Sequence, residues 1–215
     1  MKRMTIAFPN GEHEFAMQTF PELAKDEVGF HFYESSHLLA AYLAQSLKPT
    51  IDSPASRRVL ELGSGSCGLV GLALCRLNYH VTFSDIAAIV PYLQLNVDRN
   101  LDADTRANRA QVIELNWGVG NFPSPAIEYQ VIVAADCTYL RSSVIPLLET
   151  ISLCLAKRGE CYIAHEEREQ GLDEYFELTA KALGFKIKRI RNRDFPHPFL
   201  GDSGQHLKLF KLVRA

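Results

Sequence analysis

The run Arg58-Val59-Leu60-Glu61-Leu62-Gly63-Ser64-Gly65-Ser66-Cys67-Gly68-Leu69-Val70-Gly71 is an apolar strand that breaks into glycines and then becomes amphipathic. The chemistry open to such a run is ligand binding. Gly63 and Gly65 let the backbone turn sharply and approach a ligand with no Cβ in the way, and the helix that follows offers its unpaired N–H groups. A nucleotide-like cofactor suits this arrangement. Asp85 lies where the dinucleotide fingerprint Gly63-x-Gly65-x-x-Gly68 wants an acid that accepts both hydroxyls of a ribose. The same acid suits a nicotinamide dinucleotide and S-adenosylmethionine alike, and a turn with no ligand is the plainer alternative.

The elements that must hold these residues alternate along the chain. Thr5 to Phe8 and His13 to Met17 flank Pro9-Asn10-Gly11, a hairpin signal, so residues 1–34 read as an N-terminal extension to a domain over 35–215. Ser35 to Leu47 has apolar residues at helical spacing, with Ser35 or Ser36 as its cap, and Lys48 to Pro54 links it to the glycine-rich strand. His80 to Ser84 reads as strand, Ala87 to Asn100 as helix interrupted near Pro91, and Gln111 to Leu115 as strand. Val131 to Ala134 is a continuous apolar run, as in a parallel strand buried on both faces. Helix Ser142 to Leu155, strand Glu160 to Ala164, helix Leu172 to Leu183, and strands Phe185 to Ile190 and His206 to Val213 complete the order. This order predicts a doubly wound α/β domain, a mostly parallel sheet with helices on both faces. The last two strands have no helix between them and so should pair antiparallel.

At 215 residues, 47% hydrophobic and with a net charge of -2, the chain reads as an ordinary soluble globule without a global nucleic-acid surface. Lys186, Lys188, Arg189, Arg191 and Arg193 read as the solvated side of a strand and loop rather than a docking patch. Cys67, Cys75, Cys137, Cys154 and Cys161 are odd in number with no C-x-x-C pair, which argues against a disulfide framework and a zinc site. No signal-peptide core and no membrane-length apolar run is visible. The expectation is a monomer without nucleic-acid or membrane partners, in the cytoplasm, with the nucleus open as well.

The cofactor choice turns on comparison of motifs. Glu61 stands two positions before Gly63, where nicotinamide-binding strands are usually apolar and methyltransferases carry an acid. The glycines follow about fifty residues and a helix, whereas dehydrogenases commonly begin with them, and no Tyr-x-x-x-Lys pair follows. Leu115-Asn116-Trp117-Gly118 and Ala135-Asp136-Cys137-Thr138-Tyr139 come after the third and fourth strands. Together these resemble the family 16 seven-β-strand (class I) protein-lysine methyltransferases, over about residues 28–213. The resemblance implies a Rossmann-like methyltransferase fold with an antiparallel terminal strand, S-adenosyl-L-methionine as cofactor, and a protein substrate such as a chaperone or translation elongation factor.

It further implies that Asp136 and Tyr139 stand at the mouth of the transfer site, Asp136 orienting the acceptor ammonium. Tyr33, Glu61, Gly63, Ser64, Gly65, Asp85, Trp117 and Ala135 would hold the cofactor, with no metal. Tyr33 stands where the family usually has Trp, and Ser66-Cys67 adds one residue before Gly68 that the helix start is expected to absorb. His165-Glu166-Glu167-Arg168-Glu169 lacks the second histidine of a zinc motif and reads as a charged loop. The alternatives are a histidine or small-molecule methyltransferase, an NAD(P)-binding oxidoreductase and a non-catalytic methyltransferase-like binding domain.

Overall fold

The computed structural model describes residues 1–25, 28–49, 57–118, 128–166, 168–200 and 204–215. Most of the expected link from Lys48 to Pro54 lies outside them. Strands β1 (Lys2–Phe8) and β2 (Gly11–Met17) form an antiparallel hairpin. Its inward residues Met4, Ile6, Phe15 and Met17 pack into the main core against helix α1 (Glu34–Ser46). The principal sheet contains β3 (Arg58–Leu62), β4 (His80–Asp85), β5 (Ala110–Glu114), β6 (Tyr129–Ala135), β7 (Leu155–Glu166), β8 (Phe185–Ile190) and β9 (Leu207–Arg214). Helices α2 (Leu69–Arg76), α3 (Val90–Asn100), α4 (Ala103–Arg109), α5 (Arg141–Cys154) and α6 (Leu172–Ala182) join these strands.

The strand order is β5-β4-β3-β6-β7-β9-β8, and β9 alone runs against the rest. Side-chain alternation explains why the central strands are apolar throughout. Val59, Val131 and Val133 face the layer of α1, α2 and α3, whereas Leu60, Leu62, Ile132 and Ala134 face α5 and α6. The order reverses between β3 and β6, which opens a crevice beyond their carboxyl ends.

Several local expectations are corrected. No serine caps α1. Tyr33 is its N-cap and makes no side-chain capping bond to the helix, the Ser36 hydroxyl donates to the Tyr33 carbonyl at 2.6 Å, and Ser35 is buried. Pro91 lies in the first turn of α3 rather than interrupting it, because a proline there has no helical N–H partner to lose. Helix α4 is an addition, capped by Asp102, whose carboxylate accepts from the Thr105 N–H at 2.9 Å. Strand β7 begins five residues before the expected Glu160 and continues through His165 and Glu166, so these two belong to a strand and not to a charged loop. Lys186, Lys188 and Arg189 are exposed on edge strand β8, as the sequence reading held; lysine on such an edge discourages further strand pairing.

Candidate active site

The carboxyl ends of β3, β4, β5 and β6 and the segment leading into α1 enclose one cavity of about 730 Å³, within the range of small-molecule sites. Every residue expected in the site lines it: Tyr33, Glu61, Gly63, Ser64, Gly65, Asp85, Trp117, Ala135, Asp136 and Tyr139. The structure also adds Gly29, His31, Ile86 and Ile89, whose sequence carries no signal of a ligand wall.

The floor is the glycine turn. Gly63 has φ +60°, and a Cβ there would lie 2.6 Å from Cys137 Sγ and 3.0 Å from the Trp117 indole, so both conformation and space demand glycine. Ser66 and Cys67 lie in a turn closed by the Gly68 N–H donating to the Ser64 carbonyl at 3.0 Å. The extra residue is therefore taken up ahead of α2, not inside the helix start. Cys67 is buried, and burial pushes its thiol above the usual range, which leaves it a packing residue.

Two acids flank this floor. Asp85 accepts from the Gly65 N–H at 2.8 Å and the Ile86 N–H at 2.8 Å. Burial raises its pKa, and those two donors oppose the rise. Glu61 points toward the first turn of α2, and its Oε2 is buried there without a well-formed hydrogen bond among the described residues, the Ser64 hydroxyl and the Gly71 N–H lying nearby. Burial pushes its carboxyl up to about 8, against the Ser64 hydroxyl and the Gly71 N–H that favour the charge. A buried carboxyl oxygen without a well-formed bond, a turn without room for Cβ and an acid at the end of the second strand form a polar cradle that fits an adenosyl amino acid.

At the opposite wall, Asp136 is a non-glycine residue at φ +57°, its N–H fixed to the Ala164 carbonyl at 2.7 Å. Such backbone strain is concentrated at functional sites. Its buried carboxylate meets Arg168 Nη2 at 2.5 Å, and the Arg168 guanidinium also lies 4.9 Å over the Tyr33 ring. Desolvation nonetheless outweighs the arginine and raises the Asp136 pKa. Tyr139 is half-buried, and burial raises its pKa too. The Arg168 pairing escaped the sequence reading, because it joins a loop after β7 to one after β6.

His165 likewise escaped it. The ring is buried, with Nδ1 2.5 Å from Thr138 Oγ1 and Nε2 2.7 Å from Asp173 Oδ1. It ties the Asp136–Tyr139 loop to α6; among the described residues no cluster that could hold a metal occurs.

This fold is that of solved methyltransferases. The CcbJ methyltransferase of Streptomyces caelestis matches with a TM-score of 0.61 over 92% of this chain and 96% of that one, at 14% identity. A TehB-like SAM-dependent methyltransferase of Corynebacterium glutamicum matches at 0.58, over 91% and 94%, with 16% identity. The sequence narrows the class: the model of the lysine methyltransferase family matches residues 14–182, and the chain belongs to that family. Protein-lysine methyltransferase METTL21E of Bos taurus is 33% identical over 135 residues, 61% of this chain and 45% of the relative. EEF1A lysine methyltransferase 3 of Mus musculus is 31% identical over 161 residues, 70% of this chain and 66% of the relative. The chain thus spans from about half to two thirds of the length of these curated relatives.

Proposed function

We propose that the cavity binds S-adenosylmethionine and that the chain methylates the ε-amine of a lysine in an intracellular protein. The observation that carries this reading is the buried, strained Asp136 at the carboxyl end of β6, on the wall of the same cavity that Gly63, Gly65 and Asp85 line. Asp85 would accept from ribose hydroxyls, Gly63 to Gly65 would let the amino-acid end approach the backbone, and Trp117 and Ile86 would pack on the base. Cofactor use by the solved MtfA N-methyltransferase, whose structure holds S-adenosyl-L-methionine, supports the ligand by analogy of fold.

When bound, S-adenosylmethionine supplies an electrophilic methyl group on a sulfonium, so the protein has only to deliver a neutral amine in line with it. A free lysine at pH 7 costs about 4.6 kcal/mol to deprotonate, from a pKa near 10.4 at about 1.36 kcal/mol per unit. Asp136 alone would worsen this by favouring the ammonium. Arg168, in contact with Asp136, offsets part of that charge, so the carboxylate can orient the amine without locking its proton in place. Tyr139 offers a hydroxyl and a ring face at the same mouth, and the proton leaves to water.

Incubation with labelled S-adenosylmethionine and a methylation-poor lysate, followed by mass spectrometry, tests the activity. Label on lysine is expected; label on histidine or small molecules rejects the acceptor. Asp136→Ala should lower label transfer by about 100-fold or more while S-adenosylhomocysteine binding stays within about threefold. Asp85→Ala should weaken that binding by about tenfold, as loss of a charged acceptor does. Full transfer by the first variant or unchanged binding by the second, read by calorimetry, would reject the roles assigned.

A further inference from the structure

Asn96 sits in α3 between Leu93 and Val97, on the helix's buried stripe, where an amide is out of place unless it is fully bonded. Its Oδ1 accepts from the Gln18 N–H at 2.7 Å, and its Nδ2 donates to the Gln18 carbonyl at 3.0 Å and to the Ser66 carbonyl at 2.7 Å. The amide orientation follows from its partners, since a backbone N–H needs an acceptor and two carbonyls need donors. One buried side chain therefore grips the exit of the N-terminal hairpin with one hand and the cofactor turn with the other.

A second tether runs parallel to it. The Ser66 N–H donates to the Gly29 carbonyl at 2.8 Å, and a Cβ on Gly29 would lie 2.6 Å from Ile89 Cδ1 at the start of α3. Immediately beyond Gly29, His31, Phe32 and Tyr33 become cavity wall. Both the N–H and the carbonyl of Ser66 are thus held by groups that belong neither to β3 nor to α2. Asn100, one helical turn on, supplies an internal comparison: it accepts from the Ala16 N–H at 2.8 Å and donates to the Ala16 carbonyl at 3.2 Å. Its remaining contacts are the Asn96 carbonyl and the Met17 sulfur, so it anchors the hairpin without touching the cofactor turn.

We propose that Asn96 is a positioning residue for the cofactor turn, through which the N-terminal hairpin and the segment after it form a working part of the cofactor site. The inference rests on the reading of the cavity as the S-adenosylmethionine site. A turn fixed from both sides presents its N–H groups without reorganisation when the ligand arrives, and loosening it costs affinity.

The test is calorimetric titration of the full chain with S-adenosylhomocysteine, alongside thermal unfolding without ligand. Asn96→Asp keeps the acceptor for the Gln18 N–H but loses the donor to both the Gln18 and the Ser66 carbonyls, and should raise Kd about tenfold. Asn100→Ala should lower the melting temperature while leaving Kd within about twofold. In wild type, the ligand should slow amide hydrogen exchange at residues 16–18 together with residues 64–68, a readout that needs no variant to fold. Wild-type affinity in Asn96→Asp, equal loss of affinity in Asn100→Ala, or slowing confined to residues 64–68 would each overturn the proposal. Absence of wild-type binding would instead overturn the cofactor reading beneath it, a result none of the other outcomes can mimic.

Discussion

Glu61 and Asp136 are acids placed where a fold would ordinarily put apolar side chains, and burial raises the pKa of both. For Glu61 the consequence is measurable without any ligand. Its carboxyl titrates near 4.5 when exposed and at about 8 in the fold, so between those values the folded chain holds a proton that the unfolded chain has lost. The contribution of Glu61 to stability therefore falls as pH rises through that window, by up to about 1.4 kcal/mol per pH unit. Glu61→Gln should flatten this slope and raise the melting temperature more at about pH 8 than at about pH 5; an unchanged slope in the variant would assign the dependence to other groups. Asp85 was legible from its offset in the glycine fingerprint, whereas Glu61 and Asp136 were legible through the family resemblance of the motifs that carry them. Arg168 and His165 were visible as residue types but not as partners, since the loop after β6 meets the end of β7 only in the assembled sheet.

Elements were legible where periodicity was long and misread where one residue type has two meanings. Pro91 is the clearest case. Within a helix interior proline costs about 3 kcal/mol, but in the first turn it costs nothing because no N–H bond is forfeited. Its place at the start of α3 predicts that Pro91→Ala changes the free energy of unfolding by no more than about 0.5 kcal/mol in a denaturant titration. A gain near 3 kcal/mol would mean that the proline breaks a longer helix. Strand β7 was shortened in the sequence reading because Lys157-Arg158-Gly159 interrupts its apolar pattern. Leu155 and Ala156, before that break, are buried all the same. Asn96 and Asn100 carried a signal that went unread: an amide one turn from another, with the first lodged between two buried apolar residues, marks a stripe where something polar must dock.

Across the whole molecule, the last strand closes the sheet by inserting between its two predecessors, β7 and β8. Strand β8 pairs only with β9 among the described strands, and Leu207, Leu209, Phe210 and Leu212 of β9 are almost wholly buried. Four such side chains are worth on the order of 6–12 kcal/mol at about 1.5–3 kcal/mol each, comparable to the entire stability of a domain. A chain ending at His206 should therefore show no cooperative unfolding transition by circular dichroism; a native-like transition would mean that β7 and β8 are held by other contacts. By itself the sequence determined the alternation of strands and helices, the glycine turn and the acid after the second strand, and with them the expectation of a nucleotide-like ligand. These follow from local rules: backbone freedom at glycine, side-chain period and the chemistry of single residues. The tertiary structure alone decided that β9 lies inside the sheet, that Arg168 meets Asp136, and that Asn96 joins the end of the N-terminal hairpin to the glycine turn. Each of these is a contact between segments far apart in the chain, and it exists only because packing against a shared core brings their surfaces together.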